Sequence, residues 1–216
     1  MSYVTGLSCI HCGKHYTVGE VDYYCPDCGY EDGILDVEYD YDAAAKELNP
    51  AALRQSRTFS MWRYLPLLPV EEPSRIQHLQ VGWTPLYDAV RLAPELGVAR
   101  LFVKDEGRNP TASFKDRASA MGVVKALEKG ADSITCASTG NAASSLAGFA
   151  AAAGLPATIF VPERAPQAKV AQLLVFGARV FAVKGTYDQA WELCMEVAAE
   201  FGWYNRNCAI NPYRIE

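Results

Sequence analysis

The sequence lacks three features that would each point to a particular class of protein. It has no apolar run of the ~18 residues that a membrane-spanning helix requires. Its first residues show no basic stretch followed by an apolar one, as a secretory signal would. It also lacks an excess of basic residues, since the net charge is -5 and the pI is about 5.3. We therefore expect a cytoplasmic protein that binds neither membranes nor nucleic acids.

Half of the 216 residues are hydrophobic and about a fifth are charged, which is ordinary for a globular protein. From about residue 131 onward, short apolar runs alternate with helical patterns that end at glycines. The predicted strands are 133–138, 157–162, 179–183 and 203–206, and the helices between them are 141–153, 167–176 and 187–201. Regular alternation is typical of a parallel sheet covered by helices, so the predicted fold class is α/β.

Four of the seven cysteines form two pairs with the spacing of metal ligands. Cys9-x-x-Cys12 and Cys25-x-x-Cys28 are separated by 12 residues, and a glycine follows each pair. Four thiolates in this arrangement predict a structural zinc site in a ribbon-like module, which is too short to fold on its apolar core alone. Two disulfides or unmetallated cysteines are the alternatives. The other three are predicted to be ordinary buried thiols: Cys136, Cys194 and Cys208.

The segment Asn-Pro-Thr-Ala-Ser-Phe-Lys-Asp-Arg at 109–117 places Lys115 at the predicted start of a helix that ends at Gly130. Ser113 can cap this helix, and Asp116 stands where the acid of a capping box would lie. A lysine in a first turn is unusual because the helix dipole disfavours its charged form there. If it is buried, the amine becomes nucleophilic, as a Schiff-base lysine must be. A solvated surface lysine is the alternative.

A second segment, Ser-Thr-Gly-Asn at 138–141, lies between a predicted strand and a predicted helix. Ligands of α/β sheets bind at the carboxyl ends of the strands. The helix that follows offers free amides and a positive dipole end to an anion. The sequence therefore predicts an anion-binding loop, with a plain strand-to-helix turn as the alternative.

Together these two segments closely resemble the lysine motif and the following loop of the fold type II pyridoxal-phosphate enzymes, and within that group the threonine synthases. The stretches Val-Gly-Trp-Thr-Pro-Leu at 81–86 and Asn-Pro-Tyr-Arg at 211–214 are similar to the same family. The resemblance implies a tryptophan synthase β-like fold with two parallel-sheet αβ domains. It also implies an amino-acid substrate and a homodimer for the full-length protein.

The resemblance implies roles for individual residues. Lys115 would hold pyridoxal 5′-phosphate as a Schiff base, and Phe114 would pack against the cofactor or simply lie in the core. Asn141 would meet the phenolic oxygen of the cofactor. Arg214 would bind the phosphate of the substrate, because its planar group donates hydrogen bonds in pairs. The residues implied in substrate binding are Ser138, Thr139, Gly140, Asn141 and Arg214.

The implied reaction is that of a lyase of threonine biosynthesis, which converts O-phospho-L-homoserine and water to L-threonine and phosphate. Three departures from the family pattern leave the substrate open: Ala112 before Ser113, Ala142 after Asn141, and Cys208-Ala209. Threonine ammonia-lyase and cysteate synthase are therefore alternatives. A non-catalytic fragment that carries the ribbon is another.

No glycine-rich loop for the cofactor phosphate stands anywhere in the sequence. By the resemblance, the chain is expected to be the N-terminal part of a longer enzyme and to be inactive by itself. The expected divisions are a zinc-ribbon-like module (1–36), a connector (37–80), the start of the cofactor-binding domain (81–130), a small αβ domain (131–205) and the start of a return to the first domain (206–216). The piece 81–130 has one clear predicted strand and should expose apolar surface.

Overall fold

The computed structural model describes residues 2–207 and 210–214. Its N-terminal part is an antiparallel sheet in the order β2-β1-β3. These strands are β1 (Val4–Cys9), β2 (His15–Tyr16) and β3 (Leu35–Tyr39), and a short helix α1 (Gly29–Asp32) precedes β3. Burial alternates along β3, as the period of a strand requires. Because β3 ends at Tyr39, the sheet continues past residue 36, where the module was expected to end.

The connector consists of short helices with side-chain N-caps, followed by a segment that packs against the main body. Helices α2 (Tyr41–Glu47) and α3 (Pro50–Gln55) begin at Asp40 and Asn49, whose side chains accept hydrogen bonds from the backbone N–H groups of the first turn. A 3-10 helix follows at Met61–Leu67. Met61 is buried in the main core, and Trp62 and the leucines beside it pack against that core.

Two short strands, β4 (Leu86–Asp88) and β5 (Phe102–Lys104), form a separate antiparallel pair, with α4 (Leu92–Glu95) between them. The prediction of one clear strand in 81–130 is wrong. Three residues are too few to show an alternating pattern, so β4 had no signal of its own. The expected exposure of apolar surface is confirmed, since the apolar side chains of the pair are 44–60% exposed.

The main body is a four-stranded parallel sheet in the order β8-β7-β6-β9, and it confirms the predicted α/β class. Its elements are α5 (Lys115–Glu128), β6 (Ile134–Ala137), α6 (Asn141–Ala153), β7 (Ala157–Pro162), α7 (Gln167–Val175), β8 (Arg179–Val183), α8 (Tyr187–Phe201) and β9 (Tyr204–Asn205). Helices α6 and α8 end at Gly154 and Gly202, whose φ angles of 67° and 65° favour glycine.

A single buried cluster joins the connector, α5, α6 and the sheet, from Met61 to Tyr204. The alanine-rich face of α6 lets α5 pack closely against it. The expected domain boundary near residue 130 crosses this shared core, and the division of the chain into domains stays a prediction.

Cys136 and Cys194 are buried thiols, as expected, whereas Cys208 and Ala209 lie outside the described residues. In the described part of the chain, no helix is both long and apolar enough to span a membrane.

Candidate active site and metal centre

Helix α5 begins at Lys115, as predicted, and its first N–H donates to the Ser113 hydroxyl at 3.1 Å. The capping-box role expected for Asp116 is wrong. Its fully buried carboxylate instead accepts hydrogen bonds from the backbone N–H of Thr111, at 2.7 Å, and from the Thr111 hydroxyl. A charge-assisted bond to the loop backbone is stronger than an ordinary cap. Asp116 therefore fixes the loop that leads into Lys115.

The same loop is strained and closely packed. Ala112 has a φ of 58°, in the left-handed region that favours glycine. Alanine at this position, where glycine is more frequent in the family, therefore adopts a backbone conformation that is strained for a residue with a side chain. Thr111 approaches α6 at Gly148, where an added Cβ would lie 2.8 Å from the Thr111 methyl carbon. The loop can therefore lie against α6 only because Gly148 has no side chain.

Lys115 is half-buried, and its Nζ lies 4.5 Å from the centre of the Phe114 ring. Phe114 is 56% exposed in this chain, and its role, against the cofactor or in the core, stays a prediction. Across residues 2–207 and 210–214, every ion pair of a lysine or arginine with a carboxylate involves residues other than Lys115. The amine thus lies at a helix start beside an aromatic ring, and within the described residues it forms no ion pair with a carboxylate.

The carboxylate of Glu106 joins the lysine segment to the 82–84 segment. It accepts two hydrogen bonds of 2.8 Å from Arg117, one of 2.9 Å from Asn109 and one of 2.7 Å from Thr84. Asn109 in turn accepts a bond of 2.9 Å from the Gly82 N–H. The hydrogen bonds from Arg117 are the largest cause that lowers the pKa of Glu106 to about 2, against the opposing effect of burial. Sequence reasoning missed Glu106, whose partner Thr84 is 22 residues away.

The loop 138–141 links β6 to α6. The Ser138 hydroxyl accepts from the Gly140 N–H at 3.1 Å, and the exposed Asn141 accepts through its side-chain oxygen from Lys169 Nζ at 3.1 Å. A short turn joins the end of α5 to the start of β6, so α5 and α6 both begin near the carboxyl end of β6. The structure therefore places Lys115 and Asn141 at two helix N-termini near the carboxyl ends of the strands.

A cleft of about 360 Å³ opens beside this loop. Its lining residues come from the end of β6, from α6, from the start of α8 and from the segment after β9: Ala137, Ser138, Ala142, Tyr187, Asp188, Trp191, Arg206 and Asn207. Asn207 accepts from the Ala137 N–H at 3.0 Å and the Tyr187 hydroxyl donates to the Ala137 carbonyl at 3.2 Å. These two bonds fix the end of β6 where the loop begins.

Arg206 is a functional candidate that the sequence did not reveal. It is 1% exposed, lines the cleft, and donates to the Ser119 hydroxyl of α5 at 3.0 Å. Arg214, which the resemblance had implied in phosphate binding, is 8% exposed and donates to the backbone carbonyl of Arg206. Both side chains pack beside Gly122 of α5. The cleft is thus lined by Arg206, and the role of Arg214 stays a prediction.

The four predicted metal ligands are brought together. Their Sγ atoms all lie within 4.8 Å of one another, with Cys9–Cys28 at 3.9 Å and Cys12–Cys25 at 3.8 Å. A tetrahedral site with Zn–S bonds of about 2.3 Å requires sulfur–sulfur distances of about 3.8 Å, so the cluster fits zinc. All four are free thiols, which contradicts the disulfide alternative.

Tyr16 forms a hydrogen bond with one of these ligands, Cys25. Its hydroxyl lies 2.9 Å from Cys25 Sγ and lowers the pKa of the Cys25 thiol to about 6. The thiolate is the form of cysteine that binds metal.

Comparisons with known proteins identify the family to which the chain is similar. The profile of the family described as pyridoxal-phosphate dependent enzyme matches residues 78–216. The threonine synthase of Methanocaldococcus jannaschii is 43% identical over 209 residues, which cover 96% of this chain and 50% of that protein. The threonine synthase of Methanosarcina acetivorans is 44% identical over 212 residues, 97% of this chain and 50% of that protein. The chain spans about half the length of the curated relatives it matches.

Solved structures share the fold. The processed form of threonine deaminase isoform 2 from Solanum lycopersicum has a TM-score of 0.55 and 27% identity, over 61% of this chain and 36% of that chain. Maize serine racemase has a TM-score of 0.55 and 25% identity, over 61% and 40%. These matches confirm the predicted fold class.

The Glu106 network makes a prediction about pH. Because the pKa of Glu106 is lower in the folded chain than in the unfolded one, its ionised form stabilises the fold above about pH 4.5, and this contribution is lost as the pH falls towards 2. We expect Glu106→Gln to lower the free energy of unfolding by about 1–3 kcal/mol at pH 7 and by much less at pH 3. Urea titrations at several pH values measure this difference.

Glu192→Gln is the control, since Glu192 is exposed on α8 and its replacement should change stability little at pH 7. A difference between wild type and Glu106→Gln that stays constant from pH 7 to pH 3 would contradict the stabilising role of this carboxylate.

Proposed function

The chain belongs to the family of pyridoxal-phosphate dependent enzymes, and we propose that it acts in a threonine synthase, which converts O-phospho-L-homoserine and water to L-threonine and phosphate. Two relatives of that name, more than 40% identical over nearly the whole chain, support this activity. The observation that carries the proposal is the position of Lys115, which lies at the start of α5 near the same end of the strands as the 138–141 loop and has no carboxylate ion pair among the described residues.

The residues present fit the cofactor. An amine that reacts with an aldehyde must be accessible and free of a carboxylate partner, and Lys115 meets both conditions within the described residues. Lys115 would hold pyridoxal 5′-phosphate covalently, with Asn141 and the exposed ring of Phe114 as further contacts. When bound, this cofactor supplies an electron sink for bond cleavage next to the amino group of the substrate.

The chain's own residues would orient the substrate and move its protons. Lys115 would transfer protons at Cα and Cβ of the amino acid. The loop Ser138–Thr139–Gly140 and the first turn of α6 would bind the substrate carboxylate, because the N-terminus of a helix attracts anions. For the phosphate we propose Arg214, as the resemblance implies, together with Arg206, which lines the cleft beside Ser138. The amino-acid substrate and the homodimer remain part of the same proposal.

Phosphate release tests the reaction. The natural protein that contains this chain, loaded with pyridoxal 5′-phosphate, should release phosphate from O-phospho-L-homoserine and form an equal amount of threonine. Lys115→Ala should lower kcat by a factor of at least about 10²–10⁴, the usual contribution of a general acid–base group. Lys46→Ala is the control, since Lys46 is exposed on α2. Ammonia release from threonine without phosphate release would favour an ammonia-lyase.

Covalent labelling tests the lysine separately from turnover. This chain, incubated with pyridoxal 5′-phosphate and reduced with borohydride, should carry the label on Lys115, as peptide mapping would show. Lys115→Arg keeps the charge and should lose the label. A label on Lys169, which contacts Asn141, or on Lys104 would end the assignment.

We also propose that the cysteine cluster (Cys9, Cys12, Cys25 and Cys28) binds one structural zinc ion. The purified chain should contain about one zinc per molecule, and Cys25→Ser should lose it and unfold at a lower temperature, because the small sheet β1–β3 depends on the metal for stability. Cys136→Ser should keep the metal, since Cys136 lies in the main core. A zinc-free chain whose thermal unfolding is unchanged by a chelator would refute the site.

A further inference from the structure

We propose that Tyr213 couples the cysteine cluster to the segment Asn211–Arg214, so that metal bound at the cluster holds this segment in place and loss of the metal releases it. The consequence for substrate binding rests on the proposed role of Arg214. The coupling itself requires neither cofactor nor substrate.

Tyr213 belongs to the core of the N-terminal sheet and not to the main core. It is 3% exposed and shares one buried cluster with residues of β1, β2, β3 and two of the metal ligands: Leu7, Cys9, Tyr16, Cys25, Leu35, Val37 and Tyr39. Within this cluster, Tyr16 contacts Cys25 Sγ directly. The turn that carries Tyr213 contacts β3, and Tyr213 thereby completes the buried cluster to which two of the metal ligands belong.

The other side of Tyr213 faces α5. Lys125 Nζ lies 4.6 Å from the centre of its ring, and Lys125 is itself 3% exposed and pairs with Glu128 at 2.7 Å and Glu71 at 2.9 Å. Because Lys125 is buried and paired with two carboxylates, its ammonium group has a fixed position. The ring is thus positioned by the N-terminal sheet on one side and by a fixed charge on the other.

Arg214 directly follows Tyr213 in the same short turn, so the position of Tyr213 determines where Arg214 lies. Its backbone N–H donates to the Asn211 carbonyl at 3.3 Å, and its guanidinium donates to the Arg206 carbonyl. Asn211 donates to the Asn205 carbonyl at 2.8 Å. The short 3-10 turn Pro212–Arg214 is therefore tied to the end of β9 by hydrogen bonds and to the N-terminal sheet by the ring of Tyr213.

A second contact joins the N-terminal part to the same place. The Tyr23 hydroxyl accepts from the Asn205 N–H at 2.9 Å, its ring meets Tyr204 edge-on, and Lys129 pairs with Asp22. Tyr23 lies in the loop that leads to Cys25. Release of the metal would therefore loosen contacts at both Asn205 and Tyr213, the two ends of the segment that carries Arg206 and the turn.

Hydrogen exchange provides the first test. With zinc bound, the amides of residues 210–214 should exchange at least about fivefold more slowly than after chelation, in line with typical coupling between sites. Peptides from α6 should show no change, because α6 packs in the main core. Equal exchange of 210–214 with and without zinc would overturn the proposal.

Zinc affinity provides the second test, because coupling between two sites is reciprocal at equilibrium. In competition with a chromophoric chelator, Tyr213→Ala should weaken the affinity for zinc by a factor of about 5–150, whereas Tyr213→Phe, which keeps the ring, should bind zinc with the wild-type affinity. Tyr87→Ala is the control, since Tyr87 is 52% exposed on β4.

If Tyr213→Ala does not fold, Tyr213→Leu replaces it in the same measurement, with weaker zinc affinity again expected. Wild-type zinc affinity in these variants without the ring would refute the coupling. Failure of the phosphate-release assay would leave both tests unaffected, so the coupling and the proposed enzyme activity can fail independently.

Discussion

The candidate active site depends on the hydrogen bonds that the carboxylate of Glu106 accepts. Apart from the 3-10 turn Glu106–Arg108, residues 105–114 contain no regular structure that fixes the approach to Lys115. Glu106 instead accepts four hydrogen bonds, from Thr84, Asn109 and Arg117. Arg117 lies two residues after Lys115 on α5, so the same carboxylate anchors both the loop and the helix that it enters. Removing one partner of this partly buried pair would leave the other charge without compensation.

The second constraint is the direction of the parallel sheet. Chain segments that follow β6 and β9 both emerge at the carboxyl ends of the strands, which brings Ser138 and Arg206 to one cleft although they are far apart in the chain. Close helix packing then connects this cleft to the lysine. Gly148 makes room for the loop at Thr111, because an added Cβ would lie 2.8 Å from the Thr111 methyl carbon. A side chain at Gly148 would therefore push the lysine loop away from α6.

The sequence predicted those parts of the structure that depend on local patterns. The strands and helices from Ile134 to Asn205 follow from apolar runs and glycine stops, and the cysteine cluster follows from ligand spacing. The contacts of Glu106, Arg206 and Tyr213 could not be predicted, because each is made with residues distant in the sequence. Asp116 was mispredicted for a different, local reason: its spacing from Ser113 favoured a cap, but its carboxylate accepts hydrogen bonds from Thr111, five residues earlier, in a loop of no regular pattern.

The N-terminal sheet is not a self-sufficient unit, because Tyr213 completes its core. Contacts such as that between Tyr23 and Asn205 join residues 182 positions apart. Closing a loop of that length costs about 4–5 kcal/mol of chain entropy. Structural zinc in a small domain contributes about 10–16 kcal/mol, which exceeds this cost. A zinc ion bound at the cysteine cluster, as proposed, would therefore have enough free energy to order the N-terminal sheet and to keep Asn205 and Tyr213 in contact with it, whereas a module with so few buried side chains would not do so through apolar burial alone.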